Sequence, residues 1–240
     1  MILLGALVCL PAGSVAAPAP PGLPLQVPEH TRTRLQDITE HPTVSTRVVS
    51  EPFPGRVDVF EFLLDHPEFA THVTRALKLA RYRIWRTTDG LAIDDGWGTV
   101  GTFEVVHAAP GIRVVHAQGE YQHSFLPNIR GQAVVLFHYA ARSGADTKNA
   151  IQTAVSGFVK LDSRILSAAG RLASAVANAK ADREGRQLVK MFARTTRAIE
   201  DDPAGVYEQL RQKPDVPLRE LDQFRRLLRL PVPAERAAAR

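Results

Sequence analysis

Beyond Cys9 this chain of 240 residues has no thiol. Disulfides, thiolate metal sites and a cysteine nucleophile are therefore excluded for everything that follows the N-terminal run. The sequence also lacks a Walker loop, an HExxH helix, a GxSxG elbow and a dinucleotide glycine fingerprint, so nothing calls for a nucleotide cofactor. Gly96-Trp97-Gly98 is too short to cradle a phosphate and reads as a bend around Trp97. There is no repeat period, and apart from the N-terminus no stretch approaches the roughly 20 apolar residues of a membrane-spanning helix.

What is present begins with Met1 to Leu10, which is apolar apart from Gly5 and is followed by the small residues Ser14, Val15, Ala16 and Ala17. That pattern predicts a signal peptide over residues 1–16, cut after Ala16, and a periplasmic or secreted protein. Cys9 is not read as a lipid-attachment site, because Val8 puts bulk where a small residue is wanted. The formal charge of +5 stays with the chain after cleavage. Export argues against nucleic acid as its partner and leaves anionic lipid surfaces or acidic envelope proteins. With 45% hydrophobic residues, the chain is long enough for one substantial core.

Residues 17–42 form a proline-rich N-terminal segment in which Pro18, Pro20, Pro21, Pro24 and Pro28 hold the backbone extended, as a spacer. Thr43 to Ser50 alternates as a strand and stops at Pro52, Pro54 and Gly55. Val57, Phe60 and Leu64 share a helical face, and Phe69, Val73, Ala76 and Leu77 share another, with a turn at Asp65-His66-Pro67 between the two short helices. Hairpins follow at Asp89-Gly90 and at Ala108 to Gly111, and Gln132 to Ala141 reads as the most buried strand. A four-residue turn in the second hairpin would set His107 opposite Ile112, Val105 opposite Val114 and Phe103 opposite His116, collecting all six on one apolar face.

From Thr147 a helical period runs to about Ile199, carried by Ile151, Val155, Phe158, Ile165, Leu166, Leu172 and Val176, with a break predicted near Gly157, Gly170 or Gly185. Toward its end Arg183, Arg186, Lys190, Arg194 and Arg197 step by three or four into a cationic stripe, with Leu188, Phe192 and Ile199 behind it. The stripe is either a solvated face or a docking surface for an anionic membrane or an acidic partner. Residues 200–240 read as a helical, basic C-terminal extension that packs back on the domain, ending in frayed Ala and Arg residues.

The run Val57-Asp58-Val59-Phe60-Glu61-Phe62-Leu63-Leu64-Asp65 after a strand, the second short helix, Tyr82-Arg83-Ile84-Trp85 opening a β-meander, and the long final helix resemble the START-like, or SRPBCC, superfamily over residues 43–199. The resemblance implies an α+β helix-grip fold, in which a curved antiparallel β-sheet wraps around a long C-terminal helix and encloses a pocket for a lipid, sterol, polyketide or similar apolar molecule. The superfamily has no universal catalytic motif to carry over. The signal, the overlong final helix and the basic extension depart from a simple member.

Taken together, these features predict an exported soluble protein that holds an apolar ligand in a cavity formed by Phe103, Val105, His107, Val114, His116 and Phe158, and serves as a lipid carrier at the envelope. The alternatives are an interaction module that uses the basic helix alone, or a cyclase-type enzyme with His107, His116 and Tyr139 as acid, base or phenol. No catalytic residue, cofactor or metal is assigned: His107, His116 and His138 lie on predicted strands, where histidines usually serve as hydrogen-bonded core or surface residues. Asp94 and Asp95, adjacent on a strand, point to opposite faces and read as turn residues.

Overall fold

A computed structural model describes residues 22–88, 90–96, 98–123, 126–142 and 149–232, with side chains for all of these except 123, 126, 127, 163–178 and 180. The predicted signal, Asp89, Trp97, Thr147 and the closing Ala and Arg residues lie outside that set. The elements run α1 (Glu29–Glu40), β1 (Val44–Val49), β2 (Phe53–Pro54), α2 (Val57–Asp65), α3 (Pro67–Ala76), β3 (Arg83–Thr87), β4 (Gly90–Asp94), β5 (Thr99–Ala109), β6 (Ile112–His123), β7 (Leu126–Arg142), β8 (Ala150–Leu161), α4 (Ser163–Asp201), α5 (Pro203–Arg211) and α6 (Leu218–Leu227). The strands make one open antiparallel sheet in the order β1-β8-β7-β6-β5-β4-β3, with β2 also pairing β8. The fold is α+β, with a long helix following the sheet.

Two stretches differ from the sequence reading. Residues 150–161 are a strand, so the long helix starts at Ser163. Strand β8 is buried on both faces, and a two-sided strand is apolar nearly throughout. Its Ile151, Val155 and Phe158 therefore fall at spacings of four and three by coincidence, which mimics a helical face. The helix itself is continuous through Gly170 and Gly185, and its 39 residues span about 58 Å. Gly157 belongs to β8.

The second departure is at the N-terminus, where the extended reading of residues 17–42 ends at Pro28, the N-cap of α1. Thr31, Leu35 and Ile38, at helical spacings, are buried there. The Arg32 guanidinium donates to the Pro24 and Leu25 carbonyls at 2.8 Å, folding the proline segment against the helix.

The sheet has a core on each side. On its outer face Val114, Val134, Leu136 and Phe158 pack on Val27, Leu35 and Ile38 of the α1 segment. Arg34 pairs with Glu104 at 2.8 Å and Lys160 with Asp37 around that contact. The inner face carries Phe137, Tyr139, Ile151 and Val155 against Phe53, Phe60 and Val189. A third cluster joins α2 and α3 to the C-terminal helices: Phe62, Phe69 and Phe224 stack or meet edge-on at 5.3–6.1 Å between centroids, with Val206, Leu210 and Leu221 around them. The chain after Glu200 thus shares a core with α2 and α3.

The helix boundaries have local causes. Pro67 stops α2 and opens α3, with His66 capping both. Asp202 ends α4 and caps α5, its carboxylate accepting from the Gly205 amide at 2.9 Å.

Curvature of the sheet has an equally local source. Gly101, Gly119 and Gly131 are in register across β5, β6 and β7. A Cβ at each would lie 2.4, 2.5 and 2.6 Å from a backbone oxygen of the next strand. Only glycine admits that approach, and a row of glycines is the usual device for bending a sheet. Gly119→Val is expected to destabilise the protein by about 3 kcal/mol in urea unfolding. Gly22→Val, where a Cβ meets nothing within 4 Å, serves as the control and should leave the midpoint unchanged.

Candidate functional site

Helix α4 crosses the inner face over β1 and β8. Gly185 allows the close crossing, since a Cβ there would already lie 3.1 Å from Val48 Cγ2, and the Thr46 hydroxyl donates to Asp182 at 2.6 Å beside it. The helix therefore covers one side of the concave face, and the inner side of β3 to β6 opens onto a cleft of about 1050 Å³. That is at the top of the roughly 300–1,000 Å³ range of small-molecule sites. Ile84, Ile93, Phe103, Val105 and Val115 form the sheet wall; Leu188, Met191 and Phe192 of α4 face them, and Leu79 to Tyr82, after α3, complete the rim.

Of the predicted cavity residues, Phe103 and Val105 line this cleft. His107, Val114, His116 and Phe158 lie on the outer face instead. The hairpin turn is shorter than expected, with Ala109 opposite Ile112 around Pro110 and Gly111 (φ +80°). That shift alone keeps the six residues together. A β-bulge at Val106 separates them: beyond it Val105 faces Val115 and Phe103 faces Ala117, so the two apolar residues turn inward while the histidines stay outside. Val115 and Ala117, opposite them on β6, join the cleft wall. Nothing in Val105-Val106-His107 announces a bulge.

The outer-face histidines form no common site, and the His107 Nε2 is buried with no hydrogen-bond partner among the described residues. His116 is flanked by Glu104 at 3.4 Å and Gln132 at 3.2 Å. Burial, then the charge of Arg47, holds the His138 imidazole below its usual range. Tyr139 is on the inner face, so His107, His116 and Tyr139 do not converge. Among the described residues no three His, Cys, Asp or Glu side chains come together as a metal site would require. The stripe residues Arg183, Arg186, Lys190, Arg194 and Arg197 are all exposed, and Lys190 and Arg194 also reach the cleft rim.

At the inner end of the cleft lies a polar cluster that the sequence did not reveal. Arg113, 6% exposed, donates to both oxygens of Asp65 at 2.7 and 2.9 Å, to the Ala109 and Ile112 carbonyls, and to the Tyr139 hydroxyl at 2.7 Å. Tyr139 in turn donates to Glu61 at 2.8 Å. The bidentate Arg113–Asp65 pair joins strand β6 to the end of α2, and every charge in the cluster has a partner. Asp65 is thus an anchor as well as a turn residue. The pairing spans 48 residues, which no local pattern betrays.

Burial, reinforced by the hydrogen bond to Glu61, pushes the Tyr139 phenol from 10.0 up to about 12. The fold favours the neutral phenol, so this stabilisation is complete below pH 10 and is lost as the pH rises through 12. In an ultraviolet titration Tyr139 should ionise at about pH 12 instead of 10.0, and Tyr139→Phe should remove that step and flatten the loss of stability over the same interval. Unchanged late absorbance in the variant would count against the assignment.

No family model matches the chain, and no curated protein matches its sequence. Among solved structures, a hypothetical protein of Helicobacter pylori aligns over 64% of this chain and 87% of its own, at 12% identity and a TM-score of 0.36. A likeness at that level carries no argument about fold or function.

Proposed function

We propose that this protein is an exported carrier that holds an apolar ligand, of the lipid, sterol or polyketide kind, in the cleft between the sheet and α4. The observation that carries the reading is the cleft itself: about 1050 Å³ of space bounded by Ile84, Phe103, Val115, Leu188 and Phe192 on facing elements. A solid helix-on-sheet contact would have closed it, because packed interiors leave few voids larger than a water molecule. The element order supports a helix-grip domain of the START-like kind: β1 beside the last strand, two short helices before the meander, and the long helix after it. Among the described lining residues Arg113 is the one buried charge and is already satisfied by Asp65, so the interior offers a ligand mainly apolar contact.

Export rests on the apolar run Met1 to Leu10 and the small residues up to Ala17. It is checked by the N-terminus of protein recovered from its host, which should be Ala17 or a residue close to it.

The carrier reading is tested by filling the cleft. Val115→Trp should abolish binding of the neutral fluorophore N-phenyl-1-naphthylamine while costing less than about 1 kcal/mol in stability, because the added ring enters open space rather than a packed core. Failure of the wild type to bind any neutral apolar probe would sink the carrier reading. The exposed stripe from Arg183 to Arg197 would then be the functional surface, docking on an anionic membrane or an acidic envelope protein.

A further inference from the structure

The cleft is apolar within and cationic at its rim. Arg75, Lys78, Arg81, Lys190 and Arg194 border it, with the buried Arg113 deeper in its wall, against two carboxylates among the described residues, Asp95 and Glu184. Asp65 satisfies Arg113, and Arg75 faces Asp215 at 4.0 Å. Lys78, Lys190 and Arg194 are exposed and have no ion-pair partner among the described residues.

These three come from two walls that meet. Tyr82, four residues after Lys78, donates its hydroxyl to the Met191 sulfur at 2.9 Å, which sets the segment after α3 against the turn of α4 that carries Lys190 and Arg194. On α4 itself, Arg186, Lys190 and Arg194 stand at successive i,i+4 positions, where like charges repel and an anion between them is favoured. Lys78 holds the C′ position of α3 in the left-handed region at φ +56°, with the Leu79 amide donating to Thr74 O at 2.9 Å. Glycine is the inexpensive residue there, so the chain carries a cation at the rim against its backbone preference.

We infer that the cleft takes an anionic amphiphile, with its tail along Phe103 and Val115 and its carboxylate or phosphate head held at the rim by Lys78, Lys190 and Arg194. The inference rests on the carrier reading and names the class of its ligand. The cations would discriminate by charge alone, since the apolar wall contacts an acid and its neutral ester equally.

The test compares cis-parinaric acid with its methyl ester, both fluorescent on burial, at a pH where the acid is ionised and at concentrations below micelle formation. The wild type should bind the acid roughly tenfold more tightly than the ester, as expected from three exposed charge contacts, and the preference should shrink in high salt. In the variant combining Lys78→Gly, Lys190→Gln and Arg194→Gln the ratio should fall to about one, with ester affinity unchanged. Lys78→Gly alone should lose part of the preference while leaving thermal stability unchanged or raised, because it relieves the left-handed residue; a merely structural lysine would not separate the two readouts.

Competition by lysophosphatidate against oleate shows whether phosphate or carboxylate is preferred. Equal wild-type affinity for acid and ester, or a preference that survives the triple substitution, would overturn the head-group site and leave the carrier reading standing. Binding of neither probe would overturn both.

Discussion

The architecture depends on how closely backbone can approach backbone on the inner face of the sheet. Gly101, Gly119 and Gly131 let three neighbouring strands bend together, and Gly185 lets α4 settle onto β1 with Val48 almost in contact. Bending creates a concave surface wider than one helix. The close crossing then commits that helix to the β1 and β8 side. The cleft follows from both, because among the described residues the inner side of β3 to β6 is left open between α4 and the segment after α3.

Two clamps keep this arrangement from collapsing. Arg113 and Asp65 tie the middle of the sheet to the end of α2, and the Phe62, Phe69 and Phe224 cluster holds α2 and α3 against the C-terminal helices. The first contributes geometry more than energy: a half-exposed carboxylate facing a buried guanidinium roughly offsets its own desolvation, whereas loss of either partner strands the other. The aromatic cluster supplies the apolar burial. The helices beyond Glu200 are thereby part of what positions the rim of the cleft, since they support α3 from behind.

Much of this was legible in the sequence. Proline and glycine punctuation located α2, α3, the first hairpin and the junction at Asp202-Pro203, alternation located β1, and a near-continuous apolar run located β7. The stripe from Arg183 to Arg197 is as exposed as its spacing implied. The bulge at Val106 misplaced the cavity residues, while the two misread elements share another cause, a loss of contrast between the two sides of an element. Strand β8 is buried on both faces and so copied a helix, while α1 sits in a short polar stretch whose three buried residues, Thr31, Leu35 and Ile38, barely register beside five prolines. The Arg113 cluster and the glycine row join residues far apart in the chain, and periodicity has no access to such pairings.

The bulge at Val106 sets which chemistry the cleft wall displays. Because strand residues alternate, one unpaired residue changes the parity of everything on its far side; without it, the same chain would turn Thr102 and Glu104 inward and send Phe103 and Val105 out. The inner wall of β5 is therefore not encoded by its residues alone but by a count. A family built on this frame could trade an oily surface for a hydroxylated and acidic one through a single insertion or deletion near the strand's tip, without changing any side chain that already lines it.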